Sequence, residues 1–176
     1  MPARPLYEIV PNLSEGRDTA TIAAACGAIE ATGARLLDYS SDAIHHRSVL
    51  TIVGDDDQVL AAAVALAGVA LERIDLREHR GVHPRIGALD VLPFVPLSGA
   101  TLEDAAALAH RAGAEIWKRY GIPSFYYGAA ARQPERSLLP EIRRNLEWLP
   151  DEGDVARHSS AGANIRVAIQ VQAVEP

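Results

Sequence analysis

The sequence predicts an α/β layered fold, a single sheet with helices packed on it, on three observations. Strand-like and helix-like segments alternate along the chain. Its 176 residues suffice for one globular domain with a substantial core. A composition of 48% hydrophobic and 23% charged residues, with mean hydropathy +0.01, excludes a disordered chain, a coiled coil and a collagen-like repeat. The run of two β-α-β units is compatible with a ferredoxin-like arrangement. No low-complexity linker interrupts the chain, so residues 1–176 are expected to form one domain.

Leu6 to Val10 alternates bulky and polar residues and stops at Pro11-Asn12, which reads as an opening strand. Asn12-Leu-Ser-Glu-Gly16 is a turn-rich loop. A helix is expected from Asp18 to Ala31, with Ile22, Cys26 and Ile29 at helical spacing and Gly33 as its stop. Arg35 to Tyr39 reads as a second strand, Ser40 to Arg47 as a polar loop, and Ser48 to Val53 as a third strand. Gly54-Asp-Asp-Asp57 gives a turn and acidic residues that complement the dipole of a helix from Gln58 to Glu72. Ile74 to Arg85 breaks periodicity. Leu89 to Val95 is an apolar strand ended by Pro96, and Thr101-Leu-Glu-Asp104 resembles a capping sequence for an Ala-rich helix to Tyr120. Pro123 to Tyr127 reads as a strand and Leu138 to Leu146 as a helix. A loop from Asp151 to Asn164 then precedes a last strand, Ile165 to Val174.

Charge and composition narrow the function. No apolar run approaches the ~20 residues of a membrane helix, and Met-Pro-Ala-Arg-Pro leads straight into the first strand without a signal-peptide pattern. A soluble, cytoplasmic protein without membrane association is expected. Cys26 is alone, so neither an internal disulfide nor a Cys-rich metal site can form. The net charge of −6 and a pI near 5.5 argue against nucleic-acid binding by phosphate neutralisation. Positive charge is almost all arginine, Lys118 being the sole lysine. That suits bidentate carboxylate recognition, and genomic codon bias produces the same skew.

The densest chemistry lies in Asp75-Leu-Arg-Glu-His-Arg-Gly-Val-His-Pro-Arg-Ile-Gly-Ala-Leu-Asp90, a loop leading into a strand. His79 or His83 could exchange a proton near neutral pH. Pro84 keeps His83 extended, and Gly81 and Gly87 permit close approach. A solvated basic loop has the same composition. The His79/His83 spacing would place two zinc ligands on one helical face, but Gly81 and Pro84 oppose a helix and no Glu occupies the required position. No metal is expected. His45 and His46 cannot both serve one site if extended, since neighbours point to opposite faces. His110 reads as structural. Asn12 and Glu15 offer polar groups directly after a strand, where a helix-entry turn would also suit. Tyr127 and Gly128 end a strand where small residues admit a flat ring or pack a core. Gly153 to Gly162, with His158, Ser159 and Ser160, is polar enough to bind a ligand but lacks nucleotide patterns.

His83-Pro-Arg-Ile-Gly-Ala-Leu-Asp-Val-Leu-Pro-Phe-Val-Pro96, preceded by Arg77-Glu-His-Arg-Gly, resembles the signature of the glutamate formiminotransferase family. Val10-Pro-Asn-Leu-Ser-Glu-Gly16 is similar to that family's opening motif, and Tyr127-Gly-Ala-Ala-Ala-Arg132 to its Y-G-E-A-A-R segment. These matches follow the family's order over nearly the whole chain. The resemblance implies an N-terminal formiminotransferase subdomain with a mixed sheet and helices on its outer face. It implies transfer of a formimino group from N-formimino-L-glutamate to tetrahydrofolate as co-substrate, in histidine degradation, with His83 as catalytic base. The folate-contacting loop maps onto Gly153 to Gly162, including His158, Ser159, Ser160 and Gly162. Asn12, Glu15, His79, Tyr127 and Gly128 join the expected binding residues, and Arg47 and Arg85 are expected to meet the anionic glutamate tail. A carboxylate of the family is replaced by Ser40, with Asp42 nearby, and a glutamate by Ala129. The family's second subdomain is expected to be absent from residues 1–176, so a homodimer or a separate partner chain would supply the other wall of the cleft. The alternative is a catalytically reduced module that binds folate or a partner.

Overall fold

A computed structural model describes residues 4–82, 84–145 and 167–171. In chain order the elements are β1 (Leu6–Ile9), β2 (Asn12–Leu13), α1 (Thr19–Glu30), β3 (Arg35–Asp42), β4 (Arg47–Gly54), α2 (Asp56–Arg73), β5 (Leu89–Ser98), α3 (Leu102–Tyr120), β6 (Ser124–Gly128), α4 (Leu139–Arg144) and β7 (Val167–Val171). The three long helices begin where the sequence supplies acceptors for their unpaired N–H groups. Asp18 caps α1, and Asp55 with Gln58 and Thr101 with Asp104 form full capping boxes on α2 and α3.

β1 and β2 are one strand broken at Val10-Pro11. Both run antiparallel between β4 and β5. β3 pairs with the outer side of β4, while β7 and β6 continue the sheet beyond β5 in parallel. The order is therefore β3, β4, β1/β2, β5, β7, β6. Its first four positions give the ferredoxin-like arrangement, and the parallel additions make the sheet mixed.

Alternation along the strands sorts residues to two faces. Ile9, Leu50, Ile52, Leu92, Phe94 and Tyr126 point toward α1, α2 and α3 and form the main core with Ala25, Ile29, Val59, Leu66, Leu108 and Ile116. Complete burial of each large aliphatic contributes roughly 1.5–3 kcal/mol. Ala62, Ala63 and Ala67 of α2 and Ala105, Ala109 and Ala112 of α3 lie in the same core, and their small size lets the helices sit close to the sheet. On the opposite face Val91, Phe125 and Tyr127 form a smaller core with Ile86 and with Leu139 and Ile142 of α4. Further along that face Glu8, Asn12, Arg47, Val49, Thr51 and Val53 stay half-exposed. No described helix is long and apolar enough to cross a membrane.

Three boundaries depart from the sequence reading. β3 extends to Asp42 instead of ending at Tyr39, pairing Ser40 with Val49 and Asp42 with Arg47. Beyond Leu36 this edge strand among the described residues is exposed on both faces, so polar residues interrupt no buried pattern. β5 runs through Pro93 and Pro96 to Ser98. Pro93 faces the break in the opening strand, its carbonyl accepting the Val10 N–H at 3.2 Å, and Pro96 lies past the β7 ladder. Neither demands a proline N–H in a ladder flanked on both sides. Asn12 and Leu13, expected in a loop, form the short strand β2.

Candidate functional site

Three segments converge at one end of the sheet: Ser14–Asp18 after β2, the Ala43–His46 turn between β3 and β4, and the stretch from Ile74 into β5. Ser14 anchors the first to the third. Its N–H donates to the Ala88 carbonyl and its hydroxyl to the Gly87 carbonyl, both at 2.8 Å. Ser48 Oγ donates to the Glu15 carbonyl at 2.5 Å, and Arg17 Nε donates to the Ala43 carbonyl at 2.8 Å. Two glycines let the backbones meet. A Cβ on Gly16 would sit 2.6 Å from Arg47 N, and one on Gly81 would sit 2.7 Å from the His45 carbonyl oxygen.

The turn sends its two histidines opposite ways, His45 exposed and His46 buried. His45 turns outward to Asp42 Oδ2 at 2.9 Å, while Asp42 Oδ1 accepts the Ile44 and His45 N–H groups at 2.8 Å. These bonds hold the Asp42 carboxyl at about 2. Asp42 is thus engaged within its own turn.

His46 turns inward, 9% exposed, on a left-handed backbone with φ of 52°. Its Nδ1 accepts the Gly16 N–H at 3.1 Å and lies 3.4 Å from Glu15 Oε1. Its ring stacks on His79, with centroids 4.0 Å apart and 28° between planes. His79 Nε2 lies 3.1 Å from the His46 carbonyl oxygen, and the Arg85 guanidinium sits against both nitrogens of the His79 ring and extends to the His45 carbonyl at 3.4 Å. Burial lowers the pKa of both imidazoles, and the positive charge of Arg85 lowers them further. Glu15 acts in the opposite direction on each ring. Burial also lowers the Arg85 guanidinium. The result is a pair of neutral rings beside a partly desolvated cation, able to accept protons and to bind an anion.

Asp90, 2% exposed at the start of β5, fixes the third segment from below. Its Oδ1 accepts the Ile86 N–H, and its Oδ2 meets Arg143 Nη2 of α4 at 2.9 Å.

Of the residues singled out in the sequence, Glu15, His79 and Arg85 come together. Asn12 and Arg47 stand beside them on the sheet face opposite the three long helices, Asn12 donating its amide N–H to the Val10 carbonyl at 3.1 Å. Tyr127 and Gly128 lie apart, on β6, three strand positions and on the order of 14 Å from β2. Tyr127 is 4% exposed in the smaller core, where burial pushes its hydroxyl pKa up. His83, His158, Ser159, Ser160 and Gly162 lie outside the described residues. His110 is tied to the Ala130 carbonyl at 2.8 Å and packs edge-on to Tyr126, consistent with a structural role. Sequence reasoning left open which of His45 and His46 turns inward, and missed Ser14, Gly16 and the Asp90–Arg143 pair. Only the glycine among polar residues signalled the close approach at Gly16.

The family model for the formiminotransferase domain, N-terminal subdomain, matches residues 6–168. The glutamate formimidoyltransferase of Streptococcus pyogenes serotype M1 is 40% identical over 169 residues, 89% of this chain and 56% of that protein. The glutamate formimidoyltransferase of Thermoplasma acidophilum is 39% identical over 174 residues, 91% of this chain and 57% of that protein. The formimidoyltransferase-cyclodeaminase of Gallus gallus is 40% identical over 172 residues, 91% of this chain and 32% of that protein. The chain thus spans about half the length of the first two and about a third of the last. With a match of this extent, a ferredoxin-like start to the sheet and the Asn12–Gly16 and Arg77–Asp90 segments folded onto each other, the chain belongs to the formiminotransferase N-terminal subdomain family.

Proposed function

We propose that this chain carries the base-bearing half of a folate-dependent transferase that moves a formimino group from N-formimino-L-glutamate to tetrahydrofolate. The observation that carries this reading is the convergence of Glu15, His46, His79 and Arg85 on the segment that holds His83. That segment lies in a chain 40% identical to a glutamate formimidoyltransferase.

The chemistry requires the secondary amine N5 of the folate to attack the formimino carbon. The N5 proton must leave as the new C–N bond forms, and the departing glutamate nitrogen must gain one as the old C–N bond breaks. A neutral imidazole performs both transfers in turn. His83 takes that role, two residues before Arg85 and four after His79. Arg85 and Arg47 meet the carboxylates of the glutamate portions by paired N–H donors. The half-exposed face of β4 and β1 offers Val49, Thr51 and Val53 to the flat pterin, with Glu8 and Asn12 for its polar edge. A second copy or a separate chain supplies the opposite wall, and a cytoplasmic setting suits the reduced co-substrate.

The first test is calorimetric titration of the chain with 5-formyltetrahydrofolate, followed by a formimino-transfer assay on His83→Ala. Micromolar binding, and transfer abolished in a variant that keeps its circular dichroism spectrum, are expected. Transfer unchanged in that variant would remove His83 as the base. No binding by the chain alone or with an added partner would remove the folate reading.

A further inference from the structure

We propose that the outer edge of β3 docks a second copy of this chain, the two β3 strands pairing antiparallel about a two-fold axis at Tyr39. Among the described residues β3 pairs with β4 alone, so the N–H and C=O groups on its outer side are open to another strand. The strand is also apolar where an edge is ordinarily guarded. Leu37 is 48% exposed and Tyr39 52%, two residues apart.

The charges select the partner. Charged residues guard an edge when an incoming strand leaves them unmatched, but those of β3 match a copy of themselves. Against β4 the register sets Arg35 opposite Val53 and Leu36 opposite Ile52. After one extra residue at Leu37 it sets Asp38 opposite Thr51, Tyr39 opposite Leu50 and Asp42 opposite Arg47. This bulge places Arg35, Asp38, Ser40 and Asp42 on the face away from the long helices, and Leu36, Tyr39 and Ser41 on the other. Without it Arg35 and Asp42, seven residues apart, would point to opposite faces.

An axis through Tyr39 sets Arg35 opposite the second copy's Asp42, Leu36 opposite its Ser41 and Asp38 opposite its Ser40. Each pair shares one face and occurs twice, and the two Tyr39 rings meet on the axis. Opposite-charge and aromatic cross-strand pairs are the ones that stabilise a ladder. Arg35 has no other ion pair among the described residues, and the Asp42 carboxylate is 51% exposed beside His45. The neighbouring registers fail. An axis at Asp38 sets that carboxylate against itself, and an axis at Ser40 sets Asp38 against Asp42. The contact joins two sheets edge to edge, so it is separate from the wall over the open face that carries Glu8, Asn12 and Arg47. One strand pair is a small interface, and dissociation in the micromolar range is expected.

Sedimentation equilibrium of the chain at micromolar concentrations should show a reversible monomer–dimer equilibrium. Arg35→Asp sets carboxylate against carboxylate at both ends of the ladder and should raise the dissociation constant by about a hundredfold. Asp42→Arg sets like charges together in the same way, and mixing the two variants should restore a dimer, because every end pair is then attractive. Asp42→Arg also strips the turn of its acceptor for the Ile44 and His45 N–H groups. A cross-link therefore decides without it. In a Cys26→Ala background, Tyr39→Cys should join two chains by a disulfide on mild oxidation, since opposed Cα atoms of an antiparallel pair lie about 4.5–5.5 Å apart. Arg35→Cys should not, since the two copies of that position lie at opposite ends of the ladder. A chain that stays monomeric, a dimer that Arg35→Asp does not weaken, or a Tyr39→Cys chain that links no better than Arg35→Cys overturns the proposal. None of these measurements involves folate or transfer, so they decide the interface whatever becomes of the proposed function.

Discussion

Asp90 and Arg143 meet at 2.9 Å across the face of the sheet opposite the long helices, and this pair ties α4 to the start of β5. The second Asp90 oxygen accepts the Ile86 N–H, so one carboxylate holds both a helix and the approach to the strand. Arg143 is 25% exposed and Asp90 2%, which leaves the carboxylate as the group that cannot recover water. Arg143→Met should therefore destabilise by about 3 kcal/mol, the lower end for breaking a buried pair. Asp90→Asn keeps an acceptor for Ile86 and should cost less. Urea unfolding of both variants checks the order, and an Arg143→Met as stable as the parent would contradict it.

Gly81 lies against the turn that carries His46. A methyl group there would meet the His45 carbonyl at 2.7 Å and the His46 Cβ at 2.8 Å. The first of these is backbone, which yields only by moving one segment away from the other. Gly81→Ala should leave the helical core intact, with a thermal midpoint within a few degrees of the parent. It should weaken folate binding by on the order of tenfold, a 1.4 kcal/mol effect. Calorimetry on the variant reads this directly, and unchanged affinity would place the close approach outside the binding surface.

Much of this arrangement was legible in the sequence where local chemistry decides structure. Asp55 and Thr101 announce helices because their side chains cap N–H groups within a few residues. The apolar alternation of Ser48 to Val53 survives because one face of β4 is buried beneath helices. The end of β3 was not legible, since Ser40, Ser41 and Asp42 are exposed on an edge strand and no burial imprints a pattern on them. β5 passes Pro96, which local rules read as a stop, because its neighbours leave that position undemanding. At the site, His79 and Arg85 stood out by their density of charge. His46 did not, because its burial comes from Gly16, Gly81 and His79, two of them more than 30 residues away.

Thr101 tests the helix signals individually. Its hydroxyl accepts the Asp104 N–H at 3.1 Å, and the Asp104 carboxylate returns to the Thr101 N–H at 2.8 Å. Thr101→Ala removes one half of this box and should cost about 1 kcal/mol. Thr101→Ser should restore most of it. The check is the urea midpoint of the two variants, with serine expected to lie near the parent.

The two buried imidazoles give the fold itself an acid dependence. In the folded chain His46 and His79 have pKa values below the ordinary one. Between the folded value and about 6.5 the unfolded chain therefore binds more protons than the folded chain, and stability rises with pH. Their contribution is complete above about 6.5 and is lost as pH falls toward the folded values. The thermal midpoint should accordingly drop between pH 7.5 and pH 5.5, well above the range where Asp42, held at about 2, gives up its charge. His46→Asn separates the two rings. Asparagine accepts the left-handed φ of 52° more readily than most residues and can offer its oxygen to the Gly16 N–H. That variant should fold and show a shallower loss between the two pH values, retaining the part due to His79. A slope identical to the parent's would mean that His46 does not titrate in this range.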